Sequence, residues 1–446
     1  MSSTPRRLML TLVRRTAAVL GRGRLERPLG WAERVLKKRL FGCRMCGQCA
    51  LDATGLGCPM RCPKGLRNGP CGGVRSDGTC ELDAAMPCAW KDIWSRLGER
   101  LPERQPLLDH RRAGRSAWLA EALDAKPAAP ELPPDRPLPA GRLAAKLAAG
   151  EFVVTAEIGP GTAADGSALL AQAERLGQWV DAINVTDGSA AHCALSSMAA
   201  AALLSRAGHV AVMQMTCRDR NRIALQNDLL GAAALGIENV VCLTGDGVLA
   251  GDHPEAKPVF DLDAVALVAT AKTLRDGGRF LSGRALAVPP GYFIGAVDNP
   301  FAPPETARVQ RLAAKVAAGA QFVQTQYVFD LEAFALYMER IRAAGLHRRC
   351  HIIAGVGLVP SARTARWLAH KVPGVRIPDT VVTRLEQAAD PLAEASALAV
   401  ELISALRRIE GVAGVHLMFH HHLEKVAEVV EAAGLTRDRS GRREVA

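Results

Sequence analysis

The 446-residue chain reads as an α/β protein, a (β/α)8 (TIM) barrel preceded by a small cysteine-rich metal or iron–sulfur domain. Three observations predict this. Eight short apolar runs alternate with Ala/Leu-rich helical stretches after residue 142, the pattern of repeated βα units. Eight of the 12 cysteines fall between Cys43 and Cys88. A proline-rich stretch separates these two regions, and it suits a semi-rigid linker.

In chain order, residues 1–42 predict a basic amphipathic helical N-terminus, from Leu8, Leu10, Leu12, Val13, Trp31, Val35, Leu36 and Leu40. Such helices pack on their own domain or lie on a membrane surface. Residues 43–124 form the cysteine-rich domain with flanking helices. Its stretch 43–90 lacks apolar periodicity, so bound metal must supply its order. Helical spacing returns at Ile93, Trp94, Leu97, Trp118, Leu119 and Leu123. Residues 125–142 are the linker, and 143–436 the barrel, with apolar runs at 152–159, 179–187, 210–217, 239–246, 285–293, 321–330, 350–358 and 414–419. Residues 437–446 read as a charged tail. An open doubly wound sheet would need a strand–GxGxxG–helix crevice motif, which does not occur.

Composition narrows the function classes. With 49% hydrophobic and 23% charged residues the chain buries a sizeable core. No run of about 20 apolar residues predicts a transmembrane segment. The 4% aromatic content argues against a base-stacking surface, so nucleic acid is not an expected partner. The net charge of +11 resides in residues 1–115, which hold 23 Lys/Arg against 10 Asp/Glu. This suits an acidic protein, an anionic cluster or anionic lipid. The N-terminus has no signal-peptide pattern, which suggests a cytoplasmic protein, and cysteines in a reducing compartment point to metal or redox chemistry. Cys193, Cys217, Cys242 and Cys350 read as core thiols.

A barrel puts its chemistry at the C-terminal ends of its strands. The polar residues there are Glu157, Thr186, Asp187, Gln214, Thr216, Arg218, Thr244, Asp246, Gln324, Gln326 and His416. In the N-terminal module, Cys43, Cys46 and Cys49 form a C-x2-C-x2-C run, followed by Cys58, Cys62, Cys71, Cys80 and Cys88. Eight thiolates at these spacings could hold two [4Fe–4S] clusters. Four-cysteine zinc sites use similar pairs, so zinc in one or both sites stays open, as does the assignment of cysteines to sites.

Residues 43–94 resemble the cysteine-rich domain of some bacterial methylenetetrahydrofolate reductase systems. Residues 143–436 resemble the catalytic barrel of that family, through TAEIGPG (155–161), NVTDGSAA (184–191), QMTCRDRN (214–221), LTGDG (243–247), KVAAGAQFVQTQYVFD (315–330) and AGVGLVPSARTARWL (354–368). The resemblance implies FAD, a tetrahydrofolate substrate and interconversion of 5,10-methylenetetrahydrofolate and 5-methyltetrahydrofolate. It implies that Glu157 is the catalytic acid, that Asp246 binds the pterin beside the flavin, and that Gln326 contacts folate. Thr186 and Lys315 match flavin contacts, and Ala320 is a backbone match. Thr216, at the end of its strand, is placed with the cofactor contacts. This chain departs from the better-known enzymes at Thr244 (Arg there), at Arg308 (Asp there), and at 291–304, where they carry a histidine-containing loop. Their nicotinamide-holding aromatic residue has no clear counterpart.

Opening the methylene bridge requires an acid still protonated near neutrality, so Glu157 is expected to have a raised pKa from burial. The clusters would relay electrons between the flavin and an acidic carrier, ferredoxin or flavodoxin, or a partner oxidoreductase. The sequence leaves the oligomeric state open, a homo-oligomer among the options. Two other readings compete: a folate-binding methyl-transfer protein with a corrinoid partner, and a zinc-dependent, non-enzymatic binding module.

Overall fold

The computed structural model describes residues 4–98, 100, 103–124, 127–137 and 141–436. The tail at 437–446 and part of the linker lie outside the described residues. The chain divides into two compact units, residues 1–70 with 87–131, and residues 71–86 with 132–446. The stretch bearing Cys71 and Cys80 thus groups with the barrel, although the sequence places it in one domain with the other six clustered cysteines.

The first unit contains α1 (Thr4–Leu20), α2 (Arg22–Phe41), α3 (Ala89–Leu97) and α4 (Ala117–Leu123). Val13 and Ala17 of α1, Leu25 of α2, and Leu119 and Ala122 of α4 share one apolar cluster. Trp90 and Trp94 of α3 are fully buried. Glu33 of α2 is buried and accepts from Lys37, from Ser116 Oγ at 2.9 Å and from the Trp118 amide at 3.2 Å. One carboxylate thereby ties α2 to the start of α4.

The second unit is built from α5 (Arg142–Ala148), β1 (Val153–Ile158), α6 (Ser167–Gly177), β2 (Ala182–Val185), α7 (Ser197–Arg206), β3 (Ala211–Thr216), α8 (Arg222–Ala234), β4 (Asn239–Leu243), α9 (Ala264–Gly277) and β5 (Phe293–Asp298). It continues through α10 (Arg308–Ala318), β6 (Phe322–Tyr327), α11 (Leu331–Ala343), β7 (His351–Gly357), α12 (Ala362–Lys371), α13 (Asp379–Gln387), α14 (Pro391–Arg407), β8 (Val412–Met418) and α15 (Lys425–Ala432). The eight strands form a closed parallel barrel in sequence order, as predicted, and β8 closes on β1 with Thr155 opposite His416.

Strand side chains alternate, so each two-residue step along the barrel reaches a new interior layer. The first layer is apolar: Val153, Ala182, Val212, Val241, Phe322 and Ile353, packed against Leu143 and Leu147 of α5. Two residues further on, the interior turns polar at Thr155, Asn184, Gln214, Gln324 and His416, all buried. Two more residues reach Glu157, Thr186, Thr216 and Gln326. Helices α8, α9, α11, α12 and α14 start on side-chain caps from Asn221, Asp263, Asp330, Ser361 and Asp390.

The fifth strand is a correction. The apolar run at 285–293 contains Pro289 and Pro290, which cannot donate to a ladder, and the strand is Phe293–Asp298. Gly295 sits mid-strand because the Phe322 ring lies where its Cβ would be, 2.4 Å away. The stretch 291–304 therefore contains β5 itself, and the loop after the strand begins at Asn299. Among the scattered thiols, Cys217, Cys242 and Cys350 are buried as expected, but Cys193 is exposed.

Candidate active site at the barrel mouth

Glu157, near the end of β1, is mostly buried at the mouth. Gln214 Nε2 of β3 donates to its Oε2 at 2.6 Å, and His416 Nε2 of β8 lies 3.7 Å from the same oxygen, an ion-pair distance. Below it, Thr155 Oγ1 meets His416 Nδ1 at 2.9 Å, and Gln324 Nε2 approaches Nδ1 at 3.3 Å and Thr155 Oγ1 at 3.1 Å. Gln324 and Asn184 exchange two hydrogen bonds, of 2.6 and 3.0 Å, which set the Gln324 amide with its nitrogen toward the imidazole. Nδ1 thus faces a hydroxyl and an amide NH2, both able to donate. The proton of the neutral ring then belongs on Nε2, directed at Glu157.

Burial pushes Glu157 up, as the sequence reading required. The attraction of His416 and His420 and the Gln214 hydrogen bond outweigh it, so the carboxyl is held below the usual glutamate value. The expected raised pKa is not what these side chains produce.

Tyr327 and His420 were not singled out from the sequence. Tyr327 Oη bonds His420 Nε2 at 2.7 Å. Burial, with the charge of Glu157, pushes the phenol up, so it keeps its proton. The pairing of β6 with β7 shifts between Gln324 and Tyr327, an irregularity that re-aims the side chains following it. His420 has φ 39°, uncommon for a non-glycine residue. The available signals were the aromatic residue following Gln326 and the His420-His421-His422 run beyond β8.

The other expected residues distribute around the mouth. Thr186 is buried just beyond β2. Thr216 ends β3, its amide and hydroxyl bonded to Asp187 at 2.8 and 2.9 Å, and Arg220 pairs with the same carboxylate. Arg218 is buried and donates to Gly188 O at 3.0 Å. Asp246, three strands around from Glu157, is exposed and accepts from the Ala190 amide at 3.0 Å, joining the loops after β2 and β4. Gln326 turns its amide oxygen back to the Tyr327 N–H at 3.0 Å.

Two expected cofactor contacts do not join this group. Lys315 donates to Val297 O at 2.6 Å and to Asp298 Oδ1 at 2.7 Å, and Asp298 also accepts from Tyr337 at 2.7 Å. Its ammonium is committed to a buried ion pair that joins β5 to α10 and α11. Ala320 is buried ahead of β6, at the strand end opposite the mouth.

Within the same unit, residues 71–86 form a loop closed by a Val74–Cys80 bridge. It rests on the mouth loops. Leu82 packs so tightly on Gly247 that a Cβ there would come within 1.9 Å, and Asn299 Nδ2, just past β5, donates to Gly72 O at 3.2 Å. Cys71 and Cys80 are therefore carried beside the ends of β4 and β5.

In the first unit, Cys43, Cys46, Cys49 and Cys58 line one cavity together with Lys37 and Arg67. Lys37 Nζ lies 3.4 Å from Cys49 Sγ, Arg67 Nη1 3.7 Å from Cys46 Sγ, and the Met45 amide donates to Cys43 Sγ at 3.3 Å. Cations and N–H groups aimed at sulfur suit thiolate ligands. Among the described residues, no three His, Cys, Asp or Glu side chains converge closely enough to hold a single metal ion. Cys62 is buried, and Cys88 precedes α3.

A closed parallel barrel with a carboxylate, amides and histidines at its C-terminal mouth gathers them at the end where this fold places its binding and reacting groups. Residues 142–434 match the family described as methylenetetrahydrofolate reductase, and residues 24–110 match the one described as methylene-tetrahydrofolate reductase C terminal. With well over half its length matched, this chain belongs to the methylenetetrahydrofolate reductase family.

It is similar to a probable methylenetetrahydrofolate reductase (NADPH) of Caenorhabditis elegans, 28% identical over 43% of this chain and 26% of that protein. It is also similar to a 5,10-methylenetetrahydrofolate reductase of Pectobacterium carotovorum subsp. carotovorum, 25% identical over 52% of this chain and 72% of that protein. A solved structure from Clostridium thermocellum, described as binding two copies of 5-methyl-5,6,7,8-tetrahydrofolic acid, covers 66% of this chain and 98% of its own at 15% identity and a TM-score of 0.47. The chain spans 26–35% of the length of the eukaryotic relatives it matches. Among the described residues no helix is long and apolar enough to cross a membrane.

Proposed function

We propose that this chain interconverts 5,10-methylenetetrahydrofolate and 5-methyltetrahydrofolate using FAD, with electrons relayed through iron–sulfur clusters on its cysteines. The observation that carries the reading is Glu157, held between Gln214 and His416 at the mouth of a barrel of this family.

Reduction of the bridge consumes one hydride and one proton. FAD, when bound, supplies the hydride chemistry. After β2 and β3 the Thr186 hydroxyl and Arg220 would offer donors to a phosphate- and hydroxyl-bearing cofactor, while the Thr216 hydroxyl already donates to Asp187 and Arg218 to Gly188 O and Asp219. The buried Arg220 Nε has no partner in this structure. Glu157 passes the proton to a folate nitrogen. Because its neighbours favour the carboxylate, Glu157 takes up this proton from solvent for each turnover, and His416, whose Nε2 faces it at 3.7 Å, orients the carboxyl. Asp246 accepts from the pterin N–H groups, and Gln326 donates and accepts at its amide-like edge.

Four thiols around one cavity beside Lys37 and Arg67 support a cluster on Cys43, Cys46, Cys49 and Cys58. The remaining four clustered thiols are Cys62 and Cys88 in the first unit and Cys71 and Cys80 on the loop seated at the mouth, and eight thiolates in all suit a two-cluster reading. The test is metal and flavin content of anaerobically purified protein, followed by folate turnover with dithionite-reduced protein. About eight irons and one flavin per chain are expected from eight thiolates. Flavin with zinc and no iron would remove the relay and keep the reductase. No flavin binding would remove the reductase.

A further inference from the structure

We propose that the outward face of α2 is the docking surface for a small acidic electron-carrier protein. The proposal rests on the reading of the cysteine module as an electron relay. It comes from the two sides of one helix. On the inner side, Glu33 and Lys37 are buried and line the cavity of Cys43, Cys46, Cys49 and Cys58. On the outer side, Trp31 is 69% exposed and Val35 51% exposed.

At 100° per residue, Arg24, Arg27, Arg34, Lys38 and Arg39 fall within about 80° of the Trp31–Val35 line, and all five are exposed. The two acids of α2 do not offset them. Glu33 is buried, and Glu26 is turned inward, accepting from the Ser116 amide at 2.7 Å. The face is therefore a large aromatic and a β-branched side chain inside a ring of cations. An aromatic anchor ringed by polar groups is the pattern of a protein-binding hot spot. The uniform sign selects a partner rich in Asp and Glu and steers its approach.

A membrane surface fits less well. Trp31, Pro28 and Val35 lie interspersed with five cations, and the exposed Leu36 and Leu40 lie about 120° or more around the helix from that line, whereas an interfacial helix sinks one broad apolar face into the headgroup layer. Position adds to the argument. A helix with its side chains is about 10–12 Å across, so a carrier seated on Trp31 sits roughly one helix thickness from the four-cysteine cavity.

The experiment measures binding of a purified, oxidised bacterial-type ferredoxin to the full-length chain by titration calorimetry at low and high salt. Iron content and circular dichroism are recorded for every variant. Binding is expected to weaken steeply with salt, and by about tenfold or more in the Arg34→Glu/Lys38→Glu double variant. Trp31→Ala should weaken it at both salt concentrations. Arg363→Glu, an exposed cation on α12 of the barrel, should leave it unchanged. Equal ferredoxin binding by wild-type chain and double variant overturns the proposal. So does α2-dependent binding to phosphatidylglycerol vesicles with no binding to ferredoxin. Iron content reads out the relay separately, so a chain that binds ferredoxin without iron refutes the relay and leaves the docking face standing.

Discussion

His416 Nε2 stands 3.7 Å from Glu157 Oε2, while the other nitrogen of the same ring lies 2.9 Å from the Thr155 hydroxyl. One imidazole therefore links the sealed interior of the barrel to the carboxylate at its mouth. The polar layer of Thr155, Asn184 and Gln324 beneath it is buried and internally bonded, so it orients the ring without leaving orphaned groups there. In the proposed reaction Glu157 would hold the proton that folate reduction consumes, with His416 orienting the carboxyl.

Glu157→Gln keeps the Gln214 contact and loses the transferable proton. Folate turnover should fall by about 10²–10⁴-fold, the usual contribution of a positioned acid. Flavin content and reduction of the bound flavin by dithionite should be unchanged. Rapid-mixing spectroscopy separates the two half-reactions; a loss in flavin reduction instead would place Glu157 in electron delivery.

His416→Gln removes the main attraction that holds Glu157 below its usual value, so burial should then raise it. The limb of the pH–rate profile belonging to Glu157 should move to higher pH, while Glu157→Gln abolishes that limb. Stability follows the same sign. A carboxyl depressed in the folded state stabilises the fold above its unfolded value of about 4.3, and this is lost as pH falls through the folded value. Denaturant titrations at pH 7 and pH 4 should show a smaller pH dependence in His416→Gln than in wild type.

Much of this was readable in the residues. Six of the eight runs contain their strands and a seventh, 414–419, overlaps β8, because each is apolar, short and followed by a helical stretch. The run at 285–293 misled because its apolar residues surround Pro289 and Pro290, while the true strand is interrupted by Gly295. Glu157, Gln214 and His416 were visible as polar ends of apolar strands. Their convergence on one oxygen was not, since it depends on barrel closure pairing Thr155 with His416, far apart in sequence. Tyr327 was hidden by strand periodicity, which the register shift in β6 breaks. The division of the cysteines was equally hidden, because spacing does not reveal that residues 71–86 fold with the barrel.

The four-cysteine cavity predicts a graded effect on metal. Cys49→Ser and Cys46→Ser each remove a thiol that faces a cation. Each should lower iron content by about half if two clusters are present, since a [4Fe–4S] centre needs all of its ligands. Cys193→Ser, altering an exposed thiol outside the module, should leave iron untouched. Elemental analysis with the visible spectrum checks this; equal iron in wild type and Cys49→Ser would exclude Cys49 as a ligand.

Lys315 decides between a family likeness and the contacts this chain makes. The likeness assigns its ammonium to the flavin, whereas here it pairs with buried Asp298, which Tyr337 also binds. Burial pushes Asp298 up, but Lys315 and Arg311 hold it below the usual aspartate value, so Lys315→Met leaves a buried carboxyl without its nearest cation. Breaking such a pair costs about 3–5 kcal/mol, and at ~2–4 °C per kcal/mol the unfolding midpoint should fall by roughly ten degrees. The loss should be the same with and without bound FAD, and the Lys315→Met/Asp298→Asn double variant should recover part of it. A loss confined to the FAD-bound protein would return Lys315 to the cofactor. An equal loss in both forms identifies it as the brace that holds α10 against β5, acting on the mouth only through the position of that strand.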